Sequence, residues 1–517
     1  MIGRRILLGF AGTLPLVRRA AGQVAHRLTI IHLNDFHSRH EPVGPAFLGC
    51  TGSAGCFGGA VHLATAIALQ RRAAEADGRA VLQLDAGDQF QGSLFYTALH
   101  GDAELAVMHA TGTEAMALGN HEFDNGPDNL ARFIRAARFP VLSANIDASG
   151  VLAGLIRPTA LFDRAGLRLA VVGLTTPAAR TSSSPGPDVR FTDPAPALSR
   201  AAAQARAEGA SLVIVLSHLG FGADLDLARA VPGVGVIVGG HSHSLLSNVE
   251  AGAVGPHPVS AGGALIVQAG AYGRYLGRLD LDLAADGTVL AHGGECRHVG
   301  IDLDPDPAVA AIVAGFAGPL LALRQRPVGQ AAAALGTTRC RIGPCALGSL
   351  VADAMLAGDP EAEVALMNAG GIRLGLPAGP VVMGDVLAML PFGNTLATLR
   401  LSGRNLRAAV VHGLTLVGRG GFIQAAGLRV GWNPLDPARV AVWVRGADGA
   451  FARLDDTRIY TVVTNNFMRG GGDGYVTLQD GAIDPYDTGP GLEALVADYI
   501  ASHSPLPPGE TGWLTQP

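Results

Sequence analysis

The sequence lacks lysine altogether, and charged residues of every kind are few. All 38 basic residues are therefore arginine, and charged residues make up 16% of the 517. The formal net charge is -5, and no basic stripe runs along the chain. Proteins that bind nucleic-acid polymers need such a stripe. The composition therefore excludes that partner class and favours a small anion held by local chemistry.

Long hydrophobic runs are also scarce. The exception lies at residues 1–25, where two arginines precede an apolar run and small residues follow, an order typical of a secretory signal peptide. Arg18 and Arg19 stand where an uncharged cleavage region is expected, and a frayed apolar N-terminus is the alternative. No later segment offers about 18 uninterrupted apolar residues, and residues 510–517 lack the tail of a lipid-anchor signal. We expect a soluble mature protein, periplasmic or secreted, without a stable membrane anchor.

Cysteine is rare, with five in the chain. Cys50 and Cys56 form one close pair, Cys340 and Cys345 form another, and Cys296 is single. Two close pairs suit two small disulfide loops in an oxidising compartment. A zinc knuckle is the alternative, although neither pair has the gap of roughly two to four residues that zinc ligands usually show.

The length of the chain predicts two folded domains, because one hydrophobic core rarely serves more than about 300 residues. Short apolar runs bounded by Gly, Asp and Asn alternate with helical stretches up to residue 303, which predicts buried strands. Residues 308–324 have helical composition between proline-containing segments, which indicates a linker helix. The predicted organisation is a signal peptide at 1–25, a first domain at 26–305, the linker helix at 306–326, a second domain at 327–505 and a tail at 506–517.

Polar clusters follow five of these predicted strands, at the point where each strand ends. The clusters contain Asp35 and His37, Asp85 and Asp88, and the residues at 119–124, 217–218 and 239–243. Strand ends can deliver side chains to one rim of a domain. Ligand groups from Asp, His and Asn without Cys favour zinc, manganese or a similar ion over calcium. The ordered set therefore predicts a metal site.

The order D-x-H, G-D, G-N-H-E, S-H and G-H-x-H resembles the calcineurin-like metallophosphoesterases. The strings at 87–92 and 119–124 resemble the 5'-nucleotidase branch of that family. The resemblance covers nearly the whole chain. It implies an α/β fold: a four-layer β-sandwich flanked by helices, with a second α/β substrate-binding domain joined by the linker helix.

The resemblance also implies two divalent metal ions at the rim of the sandwich. The implied ligands of the first ion are Asp35, His37, Asp88 and His243, and those of the second ion are Asp88, Asn120, His218 and His241. Relatives often carry Asn or Gln where His243 stands, and imidazole is a competent ligand there.

Catalytic work is implied for two residues that do not bind metal. His121 and Asp124 resemble a dyad beside the phosphate, in which Asp124 orients and charges His121. Asp85 and Glu122 are expected to be supporting or structural groups. The remaining histidines of this region, His32, His40 and His62, are expected to be ordinary loop or core residues.

Three strings at 340–345, 368–373 and 466–475 resemble the substrate-binding domain of the same family, and both cysteine pairs match positions that its animal ecto-enzymes also pair. A guanidinium group can donate two hydrogen bonds at once to phosphate or ribose, and an aromatic ring can stack on any base. Without the strings, these Arg and Phe residues would be assigned to solvated surface and core. The implied substrate-binding residues are Arg341, Asn368, Arg373, Phe422, Phe467 and Asp473.

The resulting hypothesis is a metal-dependent phosphoric monoester hydrolase that converts nucleoside 5'-monophosphates to nucleoside and phosphate. Nucleotide sugars and dinucleotides are further candidate substrates. Cyclic-nucleotide phosphodiester hydrolysis and thiosulfohydrolysis are alternatives within the same fold. A secreted nucleotide-binding protein whose catalysis has lapsed is the alternative from another class.

Overall fold

A computed structural model describes residues 17–18, 23–44, 50, 55–433, 440–446, 448–487, 489–507 and 512–515. Residues 1–16 and 19–22 of the predicted signal peptide lie outside these described residues. The chain divides into two compact units. The first comprises Met1–Phe90, Gly101–Ala179 and Pro185–Val313, and the second comprises Gln91–His100, Arg180–Ser184 and Ala314–Pro517.

The elements up to residue 298 are, in chain order, β1 (Val17–Arg18), β2 (His26–Leu33), α1 (Ala60–Ala76), β3 (Ala80–Asp85), α2 (Leu94–Leu99), α3 (Asp102–Thr111), β4 (Ala115–Ala117), α4 (Gly126–Ala136), β5 (Val141–Leu142), β6 (Ile146–Ala148), β7 (Thr159–Arg164), β8 (Leu167–Thr175), α5 (Ala179–Ser182), β9 (Val189–Phe191), α6 (Pro194–Ala207), β10 (Leu212–His218), α7 (Phe221–Ala230), β11 (Val236–Gly239), β12 (Val259–Ala261), β13 (Ala264–Val267), β14 (Tyr275–Leu283) and β15 (Val289–His298).

Two large sheets make up the first unit. One has the order β1-β15-β14-β2-β3-β4-β5 and the other the order β12-β13-β11-β10-β8-β7. Their facing side chains form one hydrophobic core, to which Leu28 and Leu82 contribute from the first sheet and Ile214 and Val236 from the second. The outer face of the second sheet is covered by α6 and α7, and that of the first by α1. This helix, sheet, sheet, helix arrangement confirms the predicted four-layer sandwich.

The central strands are apolar at nearly every position because both of their faces are covered. In β10, for example, Ile214 and Leu216 face the core between the sheets. Val213 and Val215, which alternate with them, pack beneath the helices. Buried runs of this kind hold the strand ends rigidly in place.

The predicted polar clusters begin where parallel strands end. Strands β2, β3 and β4 pair in parallel and end at Leu33, Asp85 and Ala117. Strands β10 and β11 also pair in parallel and end at His218 and Gly239. Parallel strands present their carboxyl ends at the same edge of a sheet, so each sheet carries its clusters at one edge.

The remaining elements are α8 (Pro307–Arg324), β16 (Pro327–Ala331), α9 (Ala346–Ala357), β17 (Val364–Asn368), β18 (Gly379–Val382), α10 (Met383–Met389), β19 (Leu396–Ser402), α11 (Gly403–Thr415), β20 (Ile423–Ala426), β21 (Leu428–Trp432), β22 (Val440–Arg445), β23 (Phe451–Arg453), β24 (Ile459–Asn465), α12 (Asn466–Arg469), α13 (Val476–Asp480), β25 (Ile483–Tyr486), α14 (Leu492–Ser502) and β26 (Leu514–Thr515).

The second unit is also a mixed α/β structure. Its main sheet has the order β20-β17-β24-β19-β25, and a smaller sheet has the order β23-β22-β21-β26. One continuous hydrophobic core includes residues of α9, α11 and α14 together with the strands. The predicted second α/β domain is confirmed.

Helix α8 lies within the segment predicted as a linker. By length and composition alone it could cross a membrane, although a single helix of this kind is weak evidence because core helices of soluble proteins meet the same criterion. Of its residues, 11% are buried.

Both predicted disulfides are present. Cys50 is bonded to Cys56 and Cys340 to Cys345, while Cys296 is a buried free thiol. The alternative of a zinc knuckle is therefore wrong.

Candidate active site

The predicted metal ligands of the first unit lie close together in space. Ligand atoms of Asp35, His37 and His243 lie within 4.8 Å of one another, and so do those of Asp88, His218 and His241. A third group within the same distance joins His37, Asp88 and His121. The five strand ends therefore deliver their polar side chains to one place.

Several nitrogen and oxygen atoms approach as they would around shared cations. The Nε2 atoms of His37 and His243 are 3.1 Å apart, and His243 Nε2 is 3.4 Å from Asp35 Oδ1. His218 Nε2 is 3.0 Å from Asp88 Oδ2. The Oδ1 atom of Asn120 is buried and has no hydrogen-bond partner among the described residues. Imidazole, carboxylate and amide groups fit a pair of divalent cations such as zinc or manganese.

Hydrogen bonds leave the ligand nitrogens free. His37 Nδ1 lies 3.2 Å from the Phe90 carbonyl oxygen, and His218 Nδ1 lies 2.7 Å from that of Ala86. Each Nδ1–H can donate to its carbonyl, which fixes the ring and leaves Nε2 unprotonated for a cation. Burial lowers the pKa of His37 to about 3, so this imidazole is neutral at physiological pH.

His218 shows the opposite shift. Burial opposes its protonation, but the Asp88 carboxylate outweighs burial and raises the pKa of His218 to about 10 in the absence of a cation. A divalent cation at this position would replace that proton, since metal binding requires the neutral imidazole.

Backbone strain is concentrated at the same residues. Five of the predicted ligands have a left-handed backbone, with φ of 52° at Asp35, 51° at His37, 56° at Asp88, 71° at His241 and 52° at His243. Residues other than glycine rarely adopt this conformation, and structures retain it mainly where function requires it. The strain therefore supports a functional role for these loops.

Glu122 joins two of the ligand loops. Its Oε2 accepts hydrogen bonds from the backbone N–H groups of Asp88 at 3.0 Å and Gly119 at 2.6 Å. Its Oε1 accepts from those of Gln89 at 2.8 Å and Phe90 at 3.3 Å. Burial and the charge of Asp88 raise the pKa of Glu122 to about 7. This carboxylate thus fixes the loop after β3 against the loop after β4. The string at 119–124 suggested a supporting role for Glu122 but did not show which backbone groups it binds.

Asp85 supports the loop after β3 from the other side. It accepts hydrogen bonds from Gly87 N at 2.9 Å and from Gln89 Nε2 at 2.6 Å. Gly87 has φ of 90°, and a Cβ atom there would lie 2.6 Å from Gly119 N. Only glycine therefore allows the close approach of the two loops.

Sequence reasoning missed two polar residues that position the other loops. Gln268 Nε2 donates to Gly240 O at 2.8 Å, and Gln268 Oε1 accepts from Ser244 N at 2.5 Å. Asn34 Nδ2 donates to Gly270 O at 2.7 Å. The one available signal for Gln268 was its position directly after an apolar run, the run that forms β13.

The predicted catalytic dyad has a short, oriented contact. His121 Nδ1 lies 2.7 Å from Asp124 Oδ2, and His121 N donates to Asp88 Oδ1 at 3.0 Å. The spacing of three residues on one helical turn places both side chains on the same side. Burial opposes protonation, but the charges of Asp124 and Asp88 outweigh it and raise the pKa of His121 to about 10. In the absence of a cation, a positively charged imidazole therefore lies beside the ligand groups.

The histidines expected to be ordinary residues have partners elsewhere. The His32 ring stacks on that of His257 at 5.7 Å. His40 Nε2 lies 3.1 Å from Glu104 Oε1 in a buried pair, and His62 Nδ1 lies 2.8 Å from a backbone carbonyl.

The second unit brings the three substrate-like strings together. Asn368 Nδ2 donates to Asp473 Oδ2 at 2.8 Å. The glycine-rich loop at 418–421 connects the rest, since Gly418 N donates to Arg341 O at 2.7 Å and Gly370 N donates to Gly420 O at 2.6 Å. The Arg373 guanidinium lies 5.6 Å from the ring centroid of Phe392.

The two predicted stacking rings differ in exposure. Phe467 is 47% exposed, whereas Phe422 is 0% exposed and belongs to the hydrophobic core. In this structure other core side chains enclose the Phe422 ring. Of the two rings, only that of Phe467 is exposed.

Comparisons with known proteins agree with this geometry. Residues 28–245 match the family model of the calcineurin-like phosphoesterases, and residues 327–480 match that of the 5'-nucleotidase C-terminal domain. The chain is 34% identical to a 5'-nucleotidase of Diplobatis ommata over 99% of this chain and 92% of that protein. It is 32% identical to a snake venom 5'-nucleotidase of Naja atra over 92% of this chain and 95% of that protein.

A solved structure is similar over nearly the whole length. The 5'-nucleotidase precursor of Thermus thermophilus superposes with a TM-score of 0.71 at 38% identity, covering 95% of this chain and 99% of that one. With both family models matched and relatives similar end to end, the chain belongs to the 5'-nucleotidase family.

Proposed function

We propose that the protein hydrolyses nucleoside 5'-monophosphates to nucleoside and phosphate with two divalent metal ions. The observation that carries this proposal is the set of ligand groups that His37 and Asp88 connect, with a histidine oriented by Asp124 beside them. The family relationship supports the nucleotide as substrate.

The two ions would be held by the seven predicted ligands, with Asp88 shared between them. Cations bound there would supply positive charge to the phosphate oxygens and a water of lowered pKa as nucleophile. The chain's own residues account for the rest of the chemistry.

His121 is the residue suited to stabilise the developing charge on the phosphoryl group. Asp124 accepts from its Nδ1–H at 2.7 Å, which fixes the ring and directs Nε2 away from the carboxylate. Its contact with the Asp124 carboxylate favours the protonated ring, which can donate a hydrogen bond from Nε2. We assign Asp124 as the orienting partner.

We assign substrate recognition to the strings of the second unit. Asn368 and Asp473 already form a hydrogen-bonded pair and can contact ribose hydroxyls or a base edge. Phe467 offers an exposed ring for stacking, and Arg341 and Arg373 offer guanidinium groups for phosphate or ribose.

We also propose that the protein is exported, to the periplasm or the exterior of the cell. Two disulfides support this, because such bonds persist in oxidising compartments. The signal-like residues 1–25 and a snake venom relative agree with it.

The function is tested on purified protein by phosphate release from AMP. UDP-glucose, NAD and cyclic AMP are tested as competing candidates by chromatography of the products, because their first hydrolysis releases no inorganic phosphate. Removal of metal with a chelator should abolish turnover, and zinc, manganese or cobalt should restore it. Asp88→Ala should abolish both metal binding and turnover. The control Asp226→Ala removes an exposed carboxylate of the same unit, paired to Arg229, and should retain both. Full activity after metal removal would contradict the two-metal proposal.

A further inference from the structure

Tyr272 has a strained backbone beside the ligand loops. It lies in the connection between β13 and β14, with φ of 64°, and the next residue, Gly273, has φ of 63°. A tyrosine in this conformation is disfavoured, and glycine would adopt it at lower cost. Strain of this kind is retained where the surrounding structure holds a side chain in a required place.

The contacts of Tyr272 show that its side chain is held beside three of the proposed metal ligands. Its backbone N–H donates to Asp35 O at 2.7 Å. Its ring centroid lies 5.5 Å from that of His37 and 5.2 Å from that of His243, the latter edge-on at 81°. Asp35, His37 and His243 are three of the four ligands proposed for the first ion.

His243 has particular need of such support. Its side chain is 36% exposed, compared with 8% for His37 and 0% for Asp35. The Nδ1 atoms of His37 and His218 contact backbone carbonyls, but no hydrogen bond from the described residues holds His243 Nδ1. Packing against the Tyr272 ring therefore restricts the His243 ring where a hydrogen bond does not.

Tyr272 is itself held in place. The guanidinium carbon of Arg39 lies 5.3 Å from the Tyr272 ring centroid, and the Arg39 Nε atom is buried. A cation over an aromatic face is attracted to it, more strongly when it is desolvated. The ring thus contacts the Arg39 cation as well as the two imidazoles.

We propose that Tyr272 is a positioning residue for the first metal ion. Its ring fixes the imidazoles of His243 and His37, and its N–H fixes the Asp35 loop. Loss of the Tyr272 ring should therefore weaken the binding of the first ion more than the binding of the second ion. The proposal rests on the proposed two-metal function. Residues that orient ligands commonly change metal affinity by about 10- to 100-fold when removed.

The test uses metal titration of metal-free protein, by competition with a chelating indicator, so that each ion is measured without an activity assay. His243→Ala is titrated in the same way. The binding event that is weakened in this variant is assigned to the first ion, because His243 is a proposed ligand of that ion. Tyr272→Gly relieves the backbone strain and removes the ring, whereas Tyr272→Phe keeps the ring. Tyr272→Asn is a second ring-free variant whose residue type tolerates the left-handed backbone.

The matched control is Ala165→Gly, which relieves a left-handed residue with φ of 55° in the turn between β7 and β8. We expect Tyr272→Gly and Tyr272→Asn to melt cooperatively and to weaken the first ion by about tenfold or more. The second ion should change by much less. Tyr272→Phe and Ala165→Gly should retain both affinities.

Unchanged affinity for the first ion in both ring-free variants would overturn the proposal, and so would an equal loss of both ions. Loss in Tyr272→Phe as severe as in Tyr272→Gly would overturn the role of ring packing. Absence of two binding events in the unaltered protein would instead refute the two-metal function on which the proposal rests.

Discussion

Removal of the two predicted stacking rings of the second unit, Phe422 and Phe467, should have different consequences. Phe467 is half-exposed, and a Cβ atom on Gly472 would lie 2.5 Å from its ring, so the glycine makes room for the ring. Phe422 is enclosed in the core. Phe467→Ala should therefore reduce nucleotide turnover at little cost in stability, while Phe422→Ala should reduce stability.

The magnitudes follow from these environments. Stacking on a base is worth roughly 1 to 3 kcal/mol, so Phe467→Ala should lower kcat/KM for AMP by about 5- to 150-fold, at about tenfold per 1.4 kcal/mol. Truncation of a fully buried phenylalanine to alanine costs about 3 to 5 kcal/mol of unfolding free energy. The effect of Phe422→Ala on kcat/KM should be small in the fraction that remains folded.

The assay compares AMP with a small aryl phosphate that lacks a base, together with urea unfolding of each variant. Phe467→Ala should spare the aryl phosphate. Phe451→Ala, which truncates a partly buried ring stacked on Arg429 in the smaller sheet, is the matched control and should spare both substrates. Equal losses on both substrates in Phe467→Ala, or no loss on AMP, would refute the assignment of Phe467 as the base-stacking ring.

Three further predictions concern the first unit. Glu122→Gln keeps one acceptor oxygen, so two of the four backbone N–H groups lose their acceptor in either amide orientation. Urea unfolding should show that the free energy of unfolding falls by about 2 kcal/mol or more. An unchanged free energy would contradict the role of Glu122. His121→Ala should retain bound metal on elemental analysis and lose about 100-fold or more in kcat; loss of metal would instead identify His121 as a ligand. Burial and His257 hold the pKa of His32 well below its ordinary value of 6.5. The stability that this neutral imidazole contributes is present above pH 6.5 and is lost as pH falls below it, at up to about 1.4 kcal/mol per pH unit. His32→Leu should flatten that dependence, and an unaltered pH profile would refute it.

Much of the sandwich could be predicted from the sequence because each central strand is marked by the composition of its own few residues. Apolar runs such as residues 212–216 are buried on both faces, so their composition alone marks them as central strands. Asp35 and His218 stand at or directly after such runs. The parallel pairing of the runs then brings the predicted ligands to one edge.

The supporting residues could not be predicted in the same way. Tyr272 follows His243 by a long stretch of chain, and its contact with the His243 ring depends on how two loops fold against each other. Glu122 was visible as a residue type, but its hydrogen bonds go to backbone N–H groups, which carry no sequence signal. The string around Phe422 indicated a family position and could not show that the ring is enclosed.

The left-handed backbone of five ligand residues also restricts which substitutions the site can accept over evolutionary time. Asp, Asn and His are the residue types other than glycine that enter this conformation most readily, and they are also metal ligands. Glutamate offers the same carboxylate but no comparable tolerance, so Asp35→Glu and Asp88→Glu are not conservative changes here. Two independent demands, one from the metal and one from the chain, thus select the same few side chains. Sequence drift at Asp35, His37, Asp88 and His241 should favour exchanges among Asp, Asn and His, even where the preferred metal changes.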